Sequence, residues 1–574
     1  MQKELLKFIV ENNLSPFNKS KAAVSNGSES IFKTRDAKAI HHKVLGKISE
    51  NFFFADTSNL LYAFCFTDSM NEIKKRQEFF MNFRDSKIDN EFLSEIKTPE
   101  ASWSPKYEIY AVTANEKTFI ELKKLGCPVK YINSPDDVAE LESCDIIQAI
   151  DCDDFDTYLE QLNQTISIRN VDDVYLERYL ELLSGWKKNL DILDKNTDEG
   201  EMKDLVVSLR SLLSLISEQA NEKITREQVE EALENINYNV SEKIKNVSIS
   251  GSQLFEMLSK NSLSKEIMNI IESEIEKTGL AEEIFNKSIP VTIDEKELSK
   301  VVKLQDSNEF VSMSEKIKRK ADELKQVPEK LKKLENLILL LDFYAGISKF
   351  IKYENLLPEH SEEFLIDDSQ NIFLDNAQPI SFLLDKEHKC SILTGANSGG
   401  KTTLLEHIIQ TISLFQIGLP ISGKSHMPIF TEVYYFAKNK GSISKGAFET
   451  LLTQMSKINP GKQTIILADE IESVTEPGVA GKVLCATADY FIKKNCFLVI
   501  ATHLGYEIQK NLPQLARIDG IEAKGLDENY ELIVSHNPIL GRLAHSTPEL
   551  IIEKMAKLNE NEYISWIFDW IQKR

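Results

Sequence analysis

The chain has 574 residues, 42% hydrophobic and 28% charged, with a formal net charge of −22. That length exceeds what one core supports and implies about three to four domains, while the composition excludes a disordered or disulfide-stapled chain. No run of about eighteen apolar residues spans a bilayer, and so acidic a surface excludes general attraction to nucleic-acid backbone, leaving only a local basic patch for that purpose.

The N-terminal stretch Met1-Gln2-Lys3-Glu4-Leu5-Leu6-Lys7 runs through Phe8-Ile9-Val10 into Glu11 rather than into a small-residue cleavage site, so a cytoplasmic chain without a membrane partner is expected. The seven cysteines (65, 127, 144, 152, 390, 485 and 496) are odd in number, widely spaced and without a C-x-x-C pair, as expected of reduced core residues. Residues 1–105 read as an N-terminal segment and the start of a helical core. A small α/β insert follows over 106–150, with a strand at Glu108–Val112, a helix at Glu116–Leu125 and a strand at Val129–Ile132.

Residues 151–360 read as a helical region with few breaks. Eight glycines serve the first 390 residues and fourteen the last 184, so the two parts are built differently. Val229, Leu233, Ile236, Val240, Ile244 and Val247 recur at helical spacing, and Thr225 with Gln228 forms an [ST]-x-x-[EQ] capping box at the helix start. A second helix runs from Glu329 to Phe350, apolar on nearly all sides and so central to packing. The run Lys316-Ile317-Lys318-Arg319-Lys320 has two readings, a phosphate-contacting stripe or a solvated helix face. The flanking acids Glu315, Asp322 and Glu323 favour the second.

From 361 to 550 strand and helix alternate in the manner of a wound sheet: Ser391–Thr394, Thr402–Phe415, Thr464–Ala468, Val479–Ile492 and Phe497–Ala501, then a hairpin turn at Gly525–Asn529. The tail, 551–574, carries Tyr563-Ile564-Ser565-Trp566-Ile567-Phe568-Asp569-Trp570-Ile571, aromatic or apolar on most of a helix, and is expected to be buried on its own domain or on a second subunit.

Within the wound sheet, Gly395-Ala396-Asn397-Ser398-Gly399-Gly400-Lys401-Thr402 matches G-x-x-x-x-G-K-[ST] between an apolar strand and an amphipathic helix. In such a loop glycines let successive N–H groups face phosphate oxygens, the lysine adds a point charge, and the hydroxyl of Thr402 serves Mg²⁺. Thr464-Ile465-Ile466-Leu467-Ala468-Asp469-Glu470 has the form of a buried strand that presents two carboxylates at its C-terminal edge, where open α/β sheets bind ligands. Asp469 is the candidate magnesium residue and Glu470 the candidate base for the attacking water. Phe497-Leu498-Val499-Ile500-Ala501-Thr502-His503 ends a third buried strand in a polar pair. A lone histidine is often only structural, but the strand terminus favours His503 as a γ-phosphate sensor. The expected reaction is hydrolysis of ATP with Mg²⁺.

These segments together resemble the MutS family of DNA mismatch repair ATPases, within the broader ABC-type class. Gly395 to Thr403 is similar to the family's GPNxGGKST loop, and Asp469-Glu470-Ile471 and Thr502-His503 are similar to its DEI and TH segments. Gln416-Ile417-Gly418-Leu419-Pro420 and Ile429-Phe430-Thr431 fall in the family's order. Residues 52–350, including Ile73-Lys74-Lys75-Arg76-Gln77-Glu78, resemble lever and clamp helices more weakly. The resemblance implies an α/β P-loop ATPase domain after a helical lever and clamp region, Asn397 at the γ-phosphate, Gly395 through Thr403 around the nucleotide, and a homodimer with composite ATP sites.

Two departures stand out. Ser442-Ile443-Ser444-Lys445-Gly446-Ala447-Phe448 puts Gly446 where the family's signature serine belongs, so action in trans falls to Ser444 or to backbone N–H groups. Glu472-Ser473-Val474-Thr475-Glu476-Pro477-Gly478 replaces the glycine-rich GRGTS. With no Phe-x-Glu near the N-terminus and little chain before the lever region, the resemblance is nearest to short archaeal MutS-related proteins lacking the mismatch-recognition domain. The implied function is ATP-driven clamping on DNA, branched or damaged rather than simply mismatched. The alternative is a clamp acting on a protein partner without direct DNA binding.

Overall fold

The computed structural model describes residues 1–19, 30–64, 66–84, 90–217, 225–245, 247, 263–351, 355–395, 399–438, 446–461, 463–470, 476–526, 532–544, 548–558 and 562–572. They group into two compact units, one of Ile96–Leu334 and one that joins Met1–Glu95 to Glu335–Arg574.

The Ile96–Leu334 unit opens on a parallel four-stranded sheet in the order Val129–Tyr131, Ile109–Thr113, Ile146–Ala149, Thr165–Ser167. The Asn115 side chain caps the Glu116–Lys124 helix by accepting from Lys117 and Thr118 N–H. The last strand lies beyond residue 150, and at three residues it is too short to show a period in the sequence. Helices follow, among them Arg226–Ile244. The Thr225 hydroxyl accepts from Gln228 N–H and the Gln228 side chain from Thr225 N–H, completing the reciprocal box. Val229, Ile236 and Val240 bury against Ile267, Ile271 and Ile275 of Lys265–Glu276, while Val247 lies past the helix end. On Glu295–Arg319 the basic run is offset by neighbours: Lys318 lies 3.9 Å from Glu315, and Lys320 pairs with Glu323 at 2.7 Å.

The other unit holds the elements that position the site: α1 (Arg35–Ser49), β1 (Cys390–Gly395), α2 (Lys401–Ile417), β2 (Glu432–Phe436), β3 (Thr464–Asp469), α3 (Pro477–Lys493), β4 (Phe497–Ala501) and β5 (Ala516–Ile521). The strands form one parallel sheet in the order β2-β3-β4-β1-β5. β3 and β4 are buried at every position, the pattern of strands covered on both faces. The chain leaves β1 through α2 to the far edge at β2, returns through β3 and β4, then passes to the other side of β1. Such a reversal opens a crevice at the carboxyl ends of the strands. α1 lies against α2 and β2, and just before it Phe32 bridges Val433, adding a short segment to the sheet edge.

The Val327–Phe350 helix buries Leu331, Leu334, Ile338, Phe343 and Ile347, around a turn more than a simple stripe allows. Ala523–Leu526 and Leu532–Val534 pair antiparallel, and the turn expected at 525–529 extends into residues outside the described ones. Pro548–Leu558 and Glu562–Gln572 pack on each other. Among the described residues of the tail, Tyr563, Trp566 and Trp570 are 68%, 64% and 47% exposed. No described helix is long and apolar enough to cross a membrane. Five of the six described cysteines are buried, and Cys65 lies outside the described residues.

Candidate functional site

Three carboxyl-terminal strand ends meet in the crevice. β1 ends at Gly395 with φ +135°, where an added Cβ would sit 2.3 Å from the Ile521 carbonyl oxygen, so no side chain fits. Gly400, φ +96°, is the N-cap of α2. The start of α2 brings the positive end of the helix dipole to the crevice. Ala396, Asn397 and Ser398 lie outside the described residues, as do Ser442 to Lys445 and Ile471 to Thr475. Gly446 begins the Gly446–Ser456 helix.

Lys401, only 2% exposed, donates from Nζ to the Gly395 carbonyl at 2.6 Å and lies 3.9 Å from Glu470 Oε1. Its ammonium is therefore held at the mouth of the glycine segment. Thr402 donates its hydroxyl to Asp469 Oδ2 at 2.7 Å. Asp469 Oδ1 is buried without a hydrogen-bond partner among the described residues. Burial raises the Asp469 carboxyl above the ordinary aspartate range against the Thr402 hydrogen bond, and the nearby Glu470 charge adds to the rise. An orphaned buried carboxylate oxygen beside a threonine hydroxyl fits a hard divalent cation, which offsets that cost by favouring the ionised form. Among the described residues no cluster of three or more His, Cys, Asp or Glu would hold a metal. Mg²⁺ takes one or two protein oxygens and keeps water and phosphate for the rest.

Glu470 follows β3 with φ +44°, a left-handed conformation costly for a residue with a side chain. It is fixed by its own N–H donating to Ala501 O at 2.9 Å. The carboxylate is 8% exposed; His503 Nε2 lies 2.8 Å from Oε1, and Lys438 ion-pairs with Oε2. Burial acts to raise its pKa, but the Lys438 and His503 hydrogen bonds and charges outweigh it and hold the group below the ordinary glutamate range. Thr502, fully buried, donates its N–H to Leu393 O at 3.0 Å, and its hydroxyl accepts from Leu504 N–H, so the turn carrying His503 is tied to β1.

Beside the crevice a cavity of about 300 Å³ is lined by Gly400 through Leu404, including Thr403, together with Asn371, His407 and His536. His536 Nδ1 lies 3.0 Å from the Gly399 carbonyl, which fixes the ring over the glycine segment. His407 is buried between Gln410 and Ser369, and burial lowers its pKa to about 4. A neutral imidazole there is structural.

The structure thus gathers Gly395, Gly399, Gly400, Lys401, Thr402, Asp469, Glu470 and His503, with Thr403 on the adjoining wall. Sequence reasoning missed Lys438 and His536, and named Arg76 only within the run Ile73 to Glu78 of the lever resemblance. Lys438 follows a strand end as Glu470 does, and reading Glu432-Val433-Tyr434-Tyr435-Phe436 as a β-prone run would have found it. No local signal marks His536. Arg76 Nη1 donates to the Gln416 carbonyl at 2.9 Å, satisfying the C-terminal end of α2.

No family model matches the chain. It is 29% identical over 570 residues to "DNA-binding protein MutS2" of Pyrococcus furiosus, covering 92% of this chain and 97% of that protein. It is 24% identical to "Endonuclease MutS2" of Borreliella burgdorferi over 59% of this chain but 47% of that protein, so the chain spans about half of that relative's length. It is 26% identical to "DNA mismatch repair protein MutS" of Fervidobacterium nodosum over 37% of this chain and 26% of that protein.

Proposed function

We propose that this MutS-related chain is a P-loop ATPase that couples ATP binding and hydrolysis to clamping on DNA. The observation that carries the reading is the 2.7 Å contact of Thr402 with Asp469 beside Lys401 and Glu470 at one sheet edge. In this reading Gly395 through Thr403 hold the triphosphate, with Asn397 and Lys401 at its γ end, and Thr402 and Asp469 hold Mg²⁺. The ion neutralises charge that develops on the phosphoryl oxygens. Glu470 orients the attacking water and accepts its proton as the oxygen bonds to the γ-phosphorus and the bond to ADP breaks. His503 steadies the Glu470 carboxylate from its other side. The cavity beneath His536 is large enough to take the rest of a nucleotide. Residues 361–550 form the ATPase domain, and 151–360 the lever and clamp.

The name of the Pyrococcus relative, matched over nearly its whole length, supports DNA as the clamped partner. Steady-state hydrolysis, titrated with duplex, mismatched duplex, single-stranded and four-way-junction DNA at two salt concentrations, tests this. Stimulation by one structure, weakening with salt, is expected, because phosphate contacts release counterions. Turnover indifferent to every DNA at both salts moves the reading to a protein-partnered clamp, which the −22 net charge favours.

The clamp acts as a homodimer that joins two ATP sites. The exposed Tyr563, Trp566 and Trp570, at helical spacing, supply an apolar surface for the second copy. Replacing Trp566 and Trp570 by alanine is expected to shift the mass in sedimentation equilibrium from two chains to one. A dimer that survives the double substitution removes the tail from the interface.

A further inference from the structure

We propose that Lys438 is a positioning residue for hydrolysis, aiming the Glu470 carboxylate at the attacking water; this rests on the ATPase reading above. Glu470 meets two fixed donors, one on each oxygen. His503 Nε2 reaches Oε1 from the turn after β4, and Lys438 reaches Oε2 from the residues after β2. Two donors on opposite oxygens determine both the direction and the rotation of the carboxylate plane. A carboxylate accepts at about four lone-pair sites, so both donors leave room for water.

The Lys438 backbone is anchored on two sides. β2 pairs with β3, which carries Asp469, through Phe436 opposite Ala468. On its outer edge the segment before α1 matches it bond for bond. Val433 N–H donates to Ile31 O at 2.8 Å, Lys33 N–H to Val433 O at 2.9 Å, and Tyr435 N–H to the Thr34 hydroxyl at 3.0 Å. Asp36 then accepts from Ala437 N–H at 3.1 Å, one residue before Lys438. A surface ion pair between two long mobile side chains contributes little. This pair differs, because Glu470 is 8% exposed and both backbones are fixed. Lys438 itself is 46% exposed, so its removal does not open a core.

The test compares K438A and K438R in the full chain, alone and combined with E470Q, by single-turnover ATP hydrolysis and by equilibrium binding of ATP. K438A is expected to lower the hydrolysis rate by about tenfold to a hundredfold, the scale of a misdirected catalytic group, with ATP affinity within about threefold of the unaltered chain. K438R is expected to restore much of the rate. In the E470Q background K438A is expected to change nothing further, because the group it aims is gone. Four results overturn the proposal: an unchanged rate; a faster one, which makes the ion pair inhibitory; a loss of ATP affinity as large as the loss of rate, which makes Lys438 a nucleotide ligand; or an equal loss in the E470Q background. An unaltered chain that hydrolyses no ATP overturns the ATPase reading itself, and an E470Q variant with full activity removes Glu470 from the chemistry and with it the group that Lys438 would aim. Normal E470Q behaviour with an indifferent K438A overturns only this inference.

Discussion

The E470Q variant is expected to bind ATP about as tightly as the unaltered chain and to hydrolyse it about 10²- to 10⁴-fold more slowly, the usual contribution of a positioned general base. Glutamine matches glutamate in volume, so the nearly buried site keeps its shape. It cannot take a proton, and its NH₂ group must face either Lys438 or His503, both of which approach as donors. One donor contact is therefore lost as well. Lys401, 3.9 Å from Glu470, keeps its hydrogen bond to the Gly395 carbonyl, and Thr402 keeps its contact with Asp469, so binding and turnover separate. E470D keeps the charge on a shorter stem and should fall between the two. Wild-type turnover by E470Q in a single-turnover assay would remove Glu470 from the chemistry.

How much of this site is legible in the sequence follows from how local each signal is. β1, β3 and β4 are mainly apolar runs, and buried parallel strands read in just that way; the ends of β1 and β3 in the structure differ from the sequence reading by one residue, and those of β4 coincide with it. Once those runs are strands, the residues that follow them must gather at one sheet edge, which brings Lys401, Asp469, Glu470 and His503 together. What the sequence hides is pairing between distant segments. Nothing near Ile31-Phe32-Lys33-Thr34 announces that it lies along β2, some four hundred residues away, because a two-residue exchange of hydrogen bonds has no period. Lys438 is hidden for a related reason: alone it is one of 68 basic residues, and only the ladder between β2 and β3 gives it meaning. For the tail the two places of burial stay open. Its aromatic density implies burial, but burial against another surface leaves the same sequence pattern as burial within the chain.

The K401A variant is expected to show the reverse separation, with ATP affinity falling at least about a hundredfold. Lys401 carries a charge that is both buried and directed at the glycine segment, 2.6 Å from the Gly395 carbonyl. A charge-assisted contact to phosphate is roughly twice as strong as a neutral one, and about 2.7 kcal/mol corresponds to a hundredfold in affinity. Truncation also takes the nearby positive charge from Glu470, 3.9 Å away, so the pocket becomes more negative just where a triphosphate must enter. K401R does not repair this: a planar guanidinium fork is wider than an ammonium, and a site 2% exposed has no room for it. Calorimetric titration with ATP and Mg²⁺, beside a thermal melt without nucleotide, distinguishes lost binding from lost fold. If K401A melted as the unaltered chain does and bound ATP within about threefold of it, the glycine segment would not be the phosphate site, and Thr402, Asp469 and Glu470 would lose the ligand that gives their arrangement its purpose.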